Sequence, residues 1–404
     1  MFSILVCSFA VTAFSKSDLD DAVAAVAAAV DECAAKVDIS SYGITPSELS
    51  ELMSRLRYGY PEFFYLADNW QYYTGAGGKV TSVLLYYNYH DTDLAAVRAE
   101  YESMLSDLVA RCGFYNGMSE FECALAVHDT IVQTFAYDTS YQINTAYGIL
   151  KYGRGVCQAY SLLYLEIMKI CGIECIIALN DPENHCWNML KLDGEWYHVD
   201  VTWDDPISER DNFFRRDYFM INDTELATLN ATGGSHTSWL PNVSAKGSKY
   251  SIDALQKNKD SLCLVGGKLY GIEEENIVVY DTASFVGTPI YKIEDTWFDL
   301  QNESYYWIGC FSGLGVYRDR LYFNTPTEIW SVSVAGKDAR VELLPRLDGT
   351  NIYDMKICGN VLTYYCSVSP NGEQTAVEVE LAIQAPEPTA KPETTAKPET
   401  TAKP

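Results

Sequence analysis

The stretch GRGVCQAYSLLYLEIMKICGIECI, from Gly153 to Ile176, constrains the fold more than any other part of the chain. Gly153 and Gly155 permit a sharp turn. From Cys157 onward, Tyr160, Leu163, Ile167 and Ile170 keep helical spacing until Gly172 ends the run. A cysteine in the first turn of a helix faces unpaired backbone N–H groups and the positive end of the helix dipole. Both favour a thiolate, and the same donors suit a developing oxyanion. Three β-rich runs follow, IECIIALN, HCWNMLKL and EWYHVDVTW, and Asp193-Gly194 between the last two is a hairpin signal. A helix followed by an antiparallel sheet is an α+β arrangement.

A thiolate nucleophile needs a base that also delivers a proton to the leaving amine, and that base needs an orienting acceptor. His185 opens the run HCWNMLKL, and Asp200 lies across the hairpin in the next expected strand. Strand alternation groups Asp200 with Trp196, His198 and Thr202, while Asp204 and Asp205 fall at the strand's exit and are expected to cap a turn. Cys157, His185 and Asp200 are therefore the candidate catalytic set, and it calls for no cofactor and no metal. Trp187, Trp203 and Gln158 are candidates for the substrate cleft, although either tryptophan is as readily a core residue. His198 reads as a structural histidine. A zinc site from Cys171, Cys175, His185 and Cys186 fits no common ligand spacing.

The motifs GVCQAYSLLYLEIMKICGIE and NHCWNMLKLDGEWYHVDVTWDDP, in that order, resemble the core of the transglutaminase-like superfamily. The resemblance is detailed from about Thr145 to Pro206 and looser from Ser119 to Asn222. It implies a papain-like core with Cys157 as nucleophile, His185 as base and Asp200 as its orienter. The stretch VDISSYGITPSELSELMSRLRYGYPEFFYL looks like the helical region that precedes this core in exported bacterial proteins. Two departures stand out. Val156 precedes the cysteine where mammalian tissue cross-linking enzymes carry Gln, and CQAYS replaces the commoner CQGYA.

The rest of the chain divides around this core, expected at 116–245. Residues 1–16 have the length of a signal peptide but no preceding Lys or Arg; they read as a signal peptide or its remnant, with a buried helix start as the alternative. Residues 17–115 read as mostly helical. Leu19, Val23, Val26, Val30, Cys33 and Val37 form one apolar stripe, and Thr45, Pro46 and Glu48 open a second helix. VTSVLLYYNYH reads as a strand, and a third helix runs from about Thr92 to Cys112. Ser119 and Glu122 open a further helix. Residues 248–381 alternate turns with apolar-aromatic runs at roughly blade-length intervals, an all-β domain of propeller-like or sandwich type. Residues 384–404 repeat a Pro/Thr/Lys unit that cannot bury a core and read as a disordered spacer.

Composition narrows the partners. The 404 residues are 48% hydrophobic, enough for sizeable cores, and the net charge of −26 argues against nucleic acid and anionic membrane surfaces. The expected partner is a protein or peptide substrate, cell-wall peptide included, with no membrane insertion of the mature chain. Thirty tyrosines suit an exported protein, placed outside the cell or on its surface. Export would permit up to five disulfides beside a free Cys157, although several cysteines fall in apolar patterns that suit reduced core residues. The expected activity is hydrolysis of a peptide or glutamine amide through a thioester. Cross-linking by aminolysis is the alternative from the same site, and a non-catalytic surface binding module is the alternative from another class.

Overall fold

The computed structural model describes residues 18–381, apart from 90–92, 115–116, 206–214, 232, 258–261, 282–283, 303, 310, 345–346, 359 and 371. The proposed signal peptide and the Pro/Thr-rich tail lie outside the described residues.

Helix α1 (Asp18–Asp31) buries Ala22, Val23, Val26, Ala27 and Val30. The stripe expected to continue through Cys33 and Val37 is broken after Asp31. Cys33 takes a left-handed turn at φ 55°, and Val37 lies in strand β1 (Lys36–Asp38). Helix α2 (Pro46–Gly59) starts as its sequence expects, with Glu48 N donating to Thr45 Oγ1 at 3.2 Å and Thr45 N donating to Glu48 Oε2 at 2.8 Å. Strands β2 (Leu66–Thr74) and β3 (Val80–Tyr87) complete a three-stranded antiparallel sheet in which β3 is central. Helix α3 (Leu94–Arg111) is capped by Asp93.

Helix α4 (Glu120–Thr134) opens on the Ser119–Glu122 capping box. Strand β4 (Ala136–Tyr137) pairs in parallel with β5 (Arg154–Gly155) around a short helix, α5 (Ala146–Tyr152). Helix α6 (Cys157–Cys171) ends at Gly172, whose φ of 74° is the left-handed cap glycine tolerates. Its faces bury Ala159, Tyr160, Leu163, Tyr164 and Ile167 completely. Ile170, expected on that stripe, is exposed instead. Strands β6 (Glu174–Asn180), β7 (His185–Leu192), β8 (Glu195–Val199) and β9 (Phe219–Ile221) form an antiparallel sheet in sequential order, and α6 packs on β6 and β7. The β7–β8 hairpin turns at Asp193 and Gly194, both at positive φ (50° and 84°), the geometry an Asp-Gly turn favours. The third expected strand is shorter than its apolar run: it stops at Val199, and α7 (Val201–Asp204) and later α8 (Asp223–Asn230) follow.

From 263 to 380 all strands pair antiparallel, as four-stranded, two-stranded, four-stranded and three-stranded sheets in chain order. Among the described residues no sheet closes into a propeller, so the propeller-like expectation reduces to a series of separate antiparallel sheets. Among the described residues from 248 to 381 the one helix, Asp253–Lys257, has five residues. Leu269, Val278 and Tyr280 of the first sheet, with Phe285 of the loop that follows, share one buried apolar cluster with Leu108, Leu125 and Ile131 of the helical core.

Candidate active site

The turn before α6 explains why a cysteine opens that helix. Gly153 caps α5 at φ 70°, and a Cβ on Gly155 would sit 2.7 Å from the Cβ of Ala159, closer than atoms allow. Only glycine lets β5 run this close to the new helix. Val156 takes the N-cap position without a polar side chain, so no cap occupies the first-turn N–H groups beside Cys157.

His185 stands at the head of β7, opposite Asn180 at the end of β6. Its Nε2 lies 2.6 Å from Oδ2 of Asp200. A carboxylate only accepts, so Nε2 carries the proton and Nδ1 is the nitrogen left for sulfur. His185 and Cys157 lie close enough for each to shift the titration of the other. Burial opposes a charged imidazole here, but the charge and hydrogen bond of Asp200, with Cys157 beside it, lift His185 to about 10. The Cys157 thiol is lowered to about 5, first by a hydrogen bond from the Cys186 thiol and then, against burial, by His185 and the Cys186 backbone. Cys157 is half-buried and Cys186 buried.

Asp200 is not a mid-strand residue. It lies one step beyond Val199 and caps α7, its Oδ1 accepting from Thr202 N at 3.0 Å and Trp203 N at 3.1 Å. Its Oδ2 meets a second imidazole, Nε2 of His236, at 2.6 Å. Burial would raise this carboxyl, yet the two histidines hold it well below the ordinary carboxylate range. The three atoms His185 Nε2, Asp200 Oδ2 and His236 Nε2 all lie within 4.8 Å of one another, a spacing a divalent ion can use. Here they are spent on each other in two 2.6 Å hydrogen bonds.

The other sequence candidates separate. Trp187 is fully buried, stacks on His185 with centroids 5.7 Å apart and donates Nε1 to His198 Nδ1 at 3.0 Å. It therefore backs the imidazole and does not line a cleft, because β7 turns that face into the core. Trp203 is half-buried beside His185 and His236. Gln158 lines a cavity of about 360 Å³ whose wall also includes Tyr58, Tyr60, Asn144 and Asp181. His198 is a structural histidine, held between Trp187 and Asp223, and burial drops it to about 4.

Asp204 and Asp205 do not simply cap a turn. Asp204 is fully buried, 3.1 Å from His128 Nε2, and accepts from Tyr218 N at 3.1 Å. Asp205 accepts from the Tyr160 hydroxyl. The chain continues into α7 at this point, which turns both carboxylates inward. The sequence reading missed His236 and Cys186 as neighbours of the set, and it missed the buried Arg216–Asp129 ion pair (2.7 Å) beside His128. A signal for His236 existed only in its rarity: the chain has five histidines, and each of the four described contacts an aspartate. Cys33, Cys123, Cys157, Cys171, Cys175, Cys186, Cys263 and Cys366 form no disulfides.

A thiol at a helix start, an imidazole and a buried carboxylate are thus brought together. Residues 112–201 match the model of the transglutaminase-like superfamily. A crystal structure of a TGase shares 12% identity over 39% of this chain and 48% of its own, at a TM-score of 0.23. A candidate cysteine protease from Cytophaga hutchinsonii shares 12% over 33% of this chain and 61% of its own, at a TM-score of 0.22. The chain thus spans about half of the first and three fifths of the second. No curated protein matches the chain.

Proposed function

We propose that the protein is a cysteine-dependent amidase that attacks a peptide carbonyl or glutamine carboxamide and releases the product by hydrolysis. One observation supports this most: His185 gives Nε2 to Asp200 and keeps its other nitrogen for the thiol that opens α6. In this reading Cys157 attacks the carbonyl carbon as the thiolate. The oxyanion that forms meets the open N–H groups of the first turn. His185 hands its proton to the departing amine, and a thioester remains on Cys157. Water, deprotonated by the now neutral imidazole, cleaves the thioester and restores the thiolate–imidazolium pair. Asp200 holds the ring in the required tautomer throughout.

Cross-linking needs only a lysine amine in place of water at the second step. Gln158 and the adjoining cavity are the proposed substrate contacts, Trp203 a further one. The acidic surface favours neutral or basic protein and peptide substrates, with cell-wall peptide one candidate, and we place the protein outside the cell or on its surface. Among the described residues no helix is long and apolar enough to cross a membrane. Mass-spectrometric profiling of a peptide library, with and without added amine, tests the reading. Shortened or deamidated peptides made by the parent and absent with Cys157→Ala support it. Amine-coupled products alone would move the assignment to cross-linking, and no product from either would leave a binding module.

A further inference from the structure

Asp200 is approached by two imidazoles, and the reaction as proposed uses only one. The other, on His236, is fixed on every side. Its side chain is fully buried, and its Nε2 lies 2.6 Å from the same Oδ2 that binds His185. Nδ1 lies 3.3 Å from Oδ1 of Asn230, whose Nδ2 donates to the His236 carbonyl at 2.8 Å, so the amide holds ring and backbone together. The ring stacks on Tyr218 (5.0 Å) and meets Trp187, Trp203 and His185 edge-on at 4.7, 4.9 and 5.0 Å. The segment itself is tied down. Asn180 Nδ2 donates to Ser235 O at 2.8 Å, and Leu179 and Leu240 exchange two 2.9 Å backbone bonds. Because Asn180 is the register partner of His185, one strand end sets both histidines.

We propose that His236 is a positioning residue for the Cys157–His185 pair: its Nε2–H completes the four-donor shell of Asp200 and fixes the carboxylate that orients His185. The inference rests on the amidase reading above. Asp200 receives two backbone N–H groups on Oδ1 and two imidazoles on Oδ2, so its carboxylate has no freedom to rotate or to take a proton while all four remain. Removing the His236 donor leaves a buried anion short of one partner. The carboxylate then protonates more readily and turns, and it holds the imidazolium less well. The imidazolium in turn supports the thiolate. The groups facing His236 are Asp200, His185 and Tyr218, with His198 behind Trp187. Those facing Cys157 are His185, Cys186 and Tyr137.

The test is the pH profile of Cys157 alkylation by iodoacetamide in the full chain, resolved by peptide mass spectrometry, for parent, His236→Phe and His236→Gln. Phenylalanine keeps the ring packing and removes the donor; glutamine keeps an N–H near the position of Nε2. The parent's half-point is expected near pH 5. H236F should move it upward by about one unit, and H236Q should return most of that shift. If H236F overlays the parent, or if both variants shift alike with melting curves unchanged, His236 is packing and the proposal is overturned. If H236F does not fold, Asn230→Ala frees the ring from its tether and should shift the profile the same way by less; an overlay there overturns the proposal as well. A parent profile that rises only near the ordinary thiol value of about 8.5 sinks the Cys157–His185 reading itself, a result distinct from either variant failing to shift.

Discussion

Asp200 and Asp204 stand one helical turn apart, and each holds a buried histidine, yet their surroundings differ in one decisive respect. The histidine of Asp200 turns its far side to a half-buried thiol at a helix start. The histidine of Asp204, His128, spends its other nitrogen on Asp129, which is locked to Arg216. The first network has an end that faces incoming chemistry; the second closes on itself, joining α4 to α7 and the approach to β9. Burial and a carboxylate partner therefore do not identify a working histidine. What the remaining nitrogen faces does.

Substitutions should split along that line. The largest effect belongs to Cys157→Ala and His185→Ala, each expected to lower turnover by about 10^4 or more, because members of such a set act as a unit. Cys157→Ala should leave the melting temperature near the parent's, while His185→Ala, which takes a partner from buried Asp200, should lower it, both read by calorimetry. Asp200→Asn should lower turnover by about 10^2 to 10^4, since an amide can present a donor to His185 and reverse its tautomer. Turnover within tenfold of the parent would break the comparison.

Asp204→Asn should act on stability instead. It takes the charge from one partner of a fully buried histidine and is expected to cost about 2–4 kcal/mol, read from denaturant unfolding, while the Cys157 alkylation profile stays in place. The effect carries a pH signature. Burial opposes the charged form of His128, but Asp129 and Asp204 raise it above the ordinary imidazole value of about 6.5. A raised imidazole binds its proton more tightly when folded, so its contribution is fully present below that ordinary value and is lost as pH climbs through the folded one. The stability gap between parent and D204N should therefore narrow from pH 6 to pH 9; a gap that widens contradicts the ion-pair account. Asp205→Asn should do least, about 1 kcal/mol or below, because the amide oxygen still accepts from Tyr160.

Local chemistry made part of this arrangement legible in advance. The capping boxes at Thr45 and Ser119, the stop at Gly172 and the Asp193-Gly194 hairpin are each written in a few adjacent residues, and the structure follows them. The spacing of Cys157, His185 and Asp200 across a helix and a hairpin also placed them near one another. What failed depended on partners far away in sequence. EWYHVDVTW has β-like composition throughout, but the strand ends at Val199, where Asp200 caps α7. Trp187 could have faced a cleft or the core by alternation alone, and only the packing of His198 and His236 decides it. His236 sits in a Gly/Ser/Thr loop without periodicity, so nothing local marks it; it reaches Asp200 because Asn180 and Leu179 pin that loop to the end of β6.

The central claim is that the Cys186 thiol and His185, the latter held by Asp200, together keep Cys157 as a thiolate at neutral pH. The most direct measurement is the rate of iodoacetamide alkylation at each described cysteine of the parent protein between pH 4 and pH 9. Cys157 should react far faster than Cys33, Cys123 or Cys171, with its rate already at plateau by pH 7 and half-maximal near pH 5. A Cys157 rate that climbs only through about pH 8.5, the ordinary thiol value, would contradict it.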